Sequence, residues 1–113
     1  MAKYLFETTG VFNTFVSVVH ELAQKISSTT VYEDGYRFGN QSAMMVYERY
    51  SIIGSSRVSL SIMITNFEGK IQLVAISSGG SQAIALKINN WGEGAFLEEF
   101  KQSLEEINKT WLR

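Results

Sequence analysis

Alternating apolar and polar residues make the stretch Arg57–Ser78 the most informative part of the chain. Apolar side chains recur at every second position from Val58 to Ile64, which is the period of a strand with one buried face. A second β-rich run, Ile71–Ile76, follows a break at Phe67–Gly69. Two strand-like runs joined by a short glycine-containing segment predict a β-hairpin.

The length of the hairpin loop decides which residues of its second strand share the buried face. A loop of two or four residues puts Leu73 on that face, and a three-residue loop puts Val74 there instead. In either register the opposite face is poor in charge, because no charged residue occurs between Val58 and Asn66. A sheet face open to water usually carries more charge. Three covers are therefore considered for it, namely a second copy of the chain, another segment of the same chain, or the wall of a ligand pocket.

One helix is predicted before this hairpin, from a cap at Thr8 or Thr9 to about Ile26. Its apolar residues gather on one side, and Val11 and Val18 widen the apolar arc beyond that of a helix packed on one surface. We expect this helix to contact more than one partner.

A second helix is predicted at the C-terminal end, from Glu93 or Ala95 to Trp111. Its apolar residues fall in one narrow arc and its other side is acidic, which is typical of a helix packed on one surface.

The remaining elements are short. Residues 3–7 are compatible with an edge strand, and Asp34–Gly35 predicts a type I′ turn between two strands. Ala43–Tyr50 predicts a strand that could continue as far as Ile53. Ser77–Ser81 predicts a loop, and Gln82–Ile88 predicts a further strand after it.

These elements predict an α+β fold in one domain that spans residues 1–113. Short connections force neighbouring strands to pair antiparallel. We expect a two-layer arrangement, in which a four- to five-stranded antiparallel sheet carries an N-terminal and a C-terminal helix on one face.

Composition excludes several functions. A net charge of −1 with scattered basic residues disfavours nucleic-acid binding. The chain has no cysteine and one histidine, which excludes disulfides, cysteine nucleophiles and histidine-rich metal sites. No apolar run is long enough for a membrane span or a signal peptide. We expect a cytoplasmic protein without membrane association, metal or cofactor.

Candidate ligand-binding residues lie on the predicted strands. Met45, Tyr47, Arg49 and Arg37 combine apolar surface with cationic groups, so they could line a pocket between sheet and helices for a small apolar or anionic ligand. The lone His20 is interpreted as structural, because no neighbour on its helix is placed to assist it.

Enzymatic activity would require at least three of His20, Arg37, Arg49 and Glu48 in one cleft. No catalytic motif is present, so we expect a protein that is not an enzyme.

Candidate interface residues are Ser59, Ser61 and Met63 on the second face of the sheet and Val18 on the first helix. They lead to our first hypothesis, a cytoplasmic domain that self-associates as a homodimer. Small-molecule binding is the alternative.

The run Ser78-Gly79-Gly80-Ser81-Gln82, together with Lys87-Ile88-Asn89-Asn90-Trp91-Gly92-Glu93, resembles sequences of small bacterial proteins of unknown function. The resemblance covers the last third of the chain and includes no catalytic residue. It implies an uncharacterised bacterial family and adds nothing about mechanism.

Overall fold

The structure, a computed structural model, describes residues 2–50, 57–79 and 93–110. These residues form five strands and two helices. In chain order they are β1 (Ala2–Thr9), α1 (Phe12–Gln24), β2 (Thr30–Phe38), β3 (Ser42–Tyr50), β4 (Arg57–Phe67), β5 (Lys70–Gly79) and α2 (Glu93–Thr110).

The five strands form one antiparallel sheet in the order β1-β5-β4-β3-β2. Strands β2, β3, β4 and β5 lie side by side in chain order. Strand β1 pairs with β5 and forms the edge of the sheet opposite β2. The central strand is β4, the first strand of the predicted hairpin. The predicted α+β fold with an antiparallel sheet is therefore confirmed, and the sheet has five strands.

The loop of the β4–β5 hairpin has two residues, Glu68 and Gly69, with φ of 53° and 86°. Positive φ at both positions is the requirement of a type I′ turn. The register that results puts Leu73 on the buried face and Val74 on the opposite one. The alternative with a three-residue loop is wrong.

One hydrophobic core joins the sheet to both helices. Alternate residues of β1, β3, β4 and β5 point into it, and so do the apolar faces of α1 and α2. The Phe6 and Phe15 rings stack at 6.0 Å and join β1 to α1. Two residues widened the apolar arc predicted for the first helix, and they add little to this core. Val11, at the N-cap of α1, is exposed, and Val18 is only partly covered.

The predicted turn at Asp34–Gly35 is wrong. Strand β2 runs through both residues, and the chain reverses instead around Gly39, after which Ser42 begins β3. A register shift at Glu33 marks a β-bulge. Gly35 is required by space: an added Cβ would lie 2.5 Å from the Met44 carbonyl oxygen.

The ends of two other predicted elements also differ. Helix α1 begins at Phe12 after an N-cap at Val11 that has no side-chain cap, because Thr8 and Thr9 belong to β1. Strand β5 extends to Gly79, so the predicted loop beginning at Ser77 starts too early. The predicted strand Gln82–Ile88, the extension of β3 to Ile53 and Trp111 lie outside the described residues.

Candidate functional site

The face of the sheet opposite the core, here called the outer face, carries an apolar row that crosses all five strands. The row runs from β1 to β2 through residues paired on neighbouring strands, in the order Leu5, Val74, Met63, Met44 and Tyr36. Paired residues of neighbouring strands project from the same face and contact one another. The outer face thus presents a continuous apolar band about 19 Å wide, at about 4.8 Å per strand interval.

Most of this band is open to solvent. Leu5 and Tyr36 are each 68% exposed, and the central Met63 is 45% exposed. Phe38 adds to the band at the β2 edge, where its ring lies 4.9 Å from that of Tyr36. Contiguous exposed apolar surface of this kind usually marks an interaction site.

A second row beside the first has opposite charges at its two ends. It runs from β1 to β2 through Lys3, Ile76, Ser61, Val46 and Asp34. Its three middle residues are uncharged and partly buried. Because the charges are confined to the two edge strands, the middle of the outer face is free of charge in both rows.

Other charges on the outer face are paired near its ends. The Glu48 carboxylate lies 3.1 Å from Arg57 Nε, and the Glu7 carboxylate lies 3.6 Å from Lys70 Nζ. These pairs are at least partly exposed and contribute little to stability. They nevertheless remove unpaired charge from the surface around the apolar band.

The structure brings together three of the four predicted interface residues. Ser59, Ser61 and Met63 lie on the outer face of β4, as its alternation predicted. Val18 does not join them, since it lies on α1, whose buried residues belong to the core on the other side of the sheet.

A cleft of about 560 Å³, here called the lateral cleft, lies between α1 and the β2–β3 hairpin. The residues that line it include His20, Tyr32, Gly35, Arg37 and Met45. It is an open cleft between one helix and an edge hairpin and not a closed cavity in the core.

His20 is held at one end of this cleft by aromatic neighbours. Its Nδ1 shares a hydrogen bond of 2.7 Å with the Tyr47 hydroxyl, and its ring meets that of Tyr32 edge-on at 5.0 Å. The Tyr47 hydroxyl also donates to the Met45 sulfur at 3.3 Å. Burial, and then the neighbouring Tyr32, raise the pKa of Tyr47, so it stays a neutral hydrogen-bonding group.

Two of the predicted ligand-binding residues line the lateral cleft and two do not. Arg37 and Met45 line it, and Tyr47 lies behind it in contact with His20. Arg49 is elsewhere in the core, where it donates to Glu99 at 3.0 Å and stacks over the Phe96 ring at 4.7 Å.

The condition set for an enzyme is not met among the described residues. His20 and Arg37 share the lateral cleft, but Arg49 is buried under α2 and Glu48 projects from the outer face. No cluster of three potential metal ligands occurs in the described ranges either. No helix of those ranges is both long and apolar enough to cross a bilayer.

Sequence reasoning missed the role of β2. Tyr36 and Phe38 alternate on its outer face, and Tyr32 lies on the cleft side. The alternation is visible in the sequence, but the assumed turn at Asp34–Gly35 interrupted it. Tyr32 was missed for the same reason.

Another concavity, of about 630 Å³, lies between the end of β1 and the β4–β5 loop. It is lined by loop and strand-end residues from Glu7 to Gly10 and from Glu68 to Lys70. It has no aromatic ring and its Lys70 already pairs with Glu7, so it offers less specific chemistry than the lateral cleft.

No curated protein matches this sequence. A family model, described as a family of unknown function (DUF6054), matches residues 1–108. The match extends well beyond the last third of the chain, to which the sequence resemblance was assigned. The chain therefore belongs to this family of unknown function, DUF6054.

Proposed function

We propose that this domain acts as a self-associating module and forms a homodimer through the outer face of its sheet. The observation that carries the proposal is the apolar row from Leu5 to Tyr36, which crosses every strand and is largely exposed. The helices contribute to the core on the opposite side, which supports the two-layer arrangement with one open face.

The size of the outer face fits a modest homodimer. Five strands at about 4.8 Å and eight residues at about 3.3 Å give an area of about 600 Å² per copy. Two copies would bury about 1,200 Å², at the lower end of the range for specific interfaces. Interfaces at this end of the range are typical of transient association, so we expect the dimer to dissociate on dilution.

The charged ends of the second row determine how the two copies are oriented. If the two-fold axis runs along β4, β1 of one copy lies over β2 of the other. Lys3 then faces Asp34 at both ends of the interface, and Ile76 faces Val46. An axis across the strands through the second row would instead place Lys3 against Lys3 and Asp34 against Asp34. Charge complementarity therefore favours the axis along β4 over an axis along the second row.

A cytoplasmic location in a bacterium belongs to the same proposal. The absence of cysteine is compatible with a reducing compartment. The bacterial origin is supported by the resemblance of the C-terminal runs, and the family match names no function.

The mass in solution tests the proposal. Light scattering across a dilution series should give a mass near twice 12.7 kDa at high concentration. Met63→Lys should be a folded monomer, because two charges would be buried at the centre of the interface. Val18→Lys, a change of the same kind on α1, should remain dimeric. A monomeric wild type, or dissociation by Val18→Lys alone, would contradict the proposal.

A charge-swap experiment tests the orientation. Lys3→Asp and Asp34→Lys should each weaken the dimer, because each creates like-charge contacts at both ends of the interface. The double variant should recover most of the affinity. If the losses simply add, Lys3 and Asp34 do not face each other and the axis along β4 is wrong.

A further inference from the structure

The lateral cleft has the size of a small-molecule site and a mixed lining. Its volume of about 560 Å³ lies within the range of ligand pockets. One part of the lining is apolar and aromatic, with Val16, Met45 and Tyr32, and another part carries Arg37. Pockets that bind small molecules combine apolar walls with a few positioned polar groups in this way.

The guanidinium of Arg37 is fixed in position by neutral groups. Its Nε donates to the Gly39 carbonyl oxygen at 3.1 Å, and Nη2 donates to Asn13 Oδ1. The Phe12 ring lies 5.3 Å from the guanidinium carbon. Within the described ranges Arg37 pairs with no carboxylate, so its permanent positive charge is not compensated. A preorganised arginine of this kind favours an anionic group on a ligand.

The wall near His20 favours a flat ring. His20 and Tyr32 meet at 87°, and the hydrogen bond to Tyr47 fixes the orientation of the imidazole. Gly35 lines the same cleft, and because it has no side chain the Tyr32 hydroxyl can lie close against the β2 backbone. Edge and face contacts with aromatic rings stabilise planar apolar groups.

We propose that the lateral cleft is a binding site for a small aromatic carboxylate. The carboxylate pairs with Arg37, and the ring packs against Tyr32, His20 and Met45. This inference does not rest on dimerisation, because Arg37, His20 and Tyr32 are not part of the proposed interface. Tyr36 and Met44 of the apolar row also line the cleft.

His20 is the single histidine of the chain and provides a direct probe of the cleft. We suggest titrating 2-naphthoate while following the imidazole resonances of His20 by NMR. The shift should saturate, and the neutral 2-naphthamide should bind at least about tenfold more weakly, because charge-assisted hydrogen bonds are the strong ones. Comparing the two probes in the wild type avoids any question of variant folding.

A matched pair of variants tests whether Arg37 is the group that binds the carboxylate. Arg37→Met should weaken 2-naphthoate binding by about tenfold or more and leave 2-naphthamide binding unchanged. Arg57→Met removes an arginine from the outer face and should change neither. An absent or non-saturating His20 shift would overturn the inference, and so would equal affinity of the acid and the amide. Equal 2-naphthoate affinity in Arg37→Met and the wild type would overturn it as well.

Discussion

Gly35 is the residue at which the structure makes its sharpest stability prediction. An alanine Cβ at this position would lie 2.5 Å from the Met44 carbonyl oxygen and 2.6 Å from the Tyr32 hydroxyl. Contacts this short force the neighbouring atoms to move. The Tyr32 side chain can rotate away, but the Met44 oxygen belongs to the paired strand β3 and cannot move without disturbing the β2–β3 ladder.

Overpacking of this kind costs about 1–3 kcal/mol. Replacing glycine also restricts the unfolded chain, which stabilises the protein by about 0.4–1 kcal/mol and offsets part of the cost. We therefore expect Gly35→Ala to lower the free energy of unfolding by about 1–2 kcal/mol. For a domain of this size that corresponds to a fall in melting temperature of about 5–10 °C.

Urea unfolding followed by circular dichroism would measure the change. The double variant Tyr32→Phe/Gly35→Ala should remain destabilised relative to Tyr32→Phe, because removing the hydroxyl leaves the contact with the Met44 oxygen. If Tyr32→Phe abolished the destabilisation, the contact with the Tyr32 side chain and not the one with the Met44 backbone oxygen would be its cause. A Gly35→Ala protein as stable as the wild type would refute the reasoning, and with it the continuous strand β2 through Asp34 and Gly35.

Two further predictions concern buried polar groups. Folding raises the pKa of Tyr47 above the value of about 10 that it has in the unfolded chain. The neutral phenol therefore makes its full contribution to the free energy of unfolding at pH values below about 10, and this contribution is lost as the pH rises further. Above pH about 10 the wild type should therefore lose about 1 kcal/mol more per pH unit than Tyr47→Phe in urea unfolding, and parallel pH profiles would contradict this. Glu99→Gln should cost about 1–3 kcal/mol, because Glu99 accepts from Arg49, which is only 4% exposed. Glu21→Gln, at the exposed pair with Lys25, should cost less than about 0.5 kcal/mol, and equal losses would show that burial of Arg49 is unimportant.

Two of the wrong sequence predictions have the same physical explanation. Asp34–Gly35 has the composition of a type I′ turn, but Gly35 is needed because the Met44 oxygen and Tyr32 hydroxyl occupy the space of a side chain. Thr8 and Thr9 have the composition of helix caps, but β1 extends through both and pairs them with Ile71 and Lys70. In both cases a contact with a residue distant in sequence overrides a local preference.

Elements with a long and regular period could be predicted from the sequence alone. The alternation from Val58 to Ile64 predicted the central strand and its two faces, and the narrow apolar arc from Phe96 to Leu104 predicted the packed face of α2. The sequence also predicted that the outer face of β4 would lack charge between Val58 and Asn66. These properties depend only on residues within one element, so the sequence of that element is enough to predict them.

Contacts between residues of different elements could not be predicted from the sequence and depend on how the chain folds. Pairing of β1 with β5 placed Leu5 at one end of the apolar row, and the register of β2 placed Tyr36 at the other. The packing of α1 on the sheet brought His20 against Tyr47 of β3, and the register of β2 on β3 separated Arg37 from Arg49. The physical reason is that period specifies the face on which a residue lies, whereas strand order and register specify its neighbours.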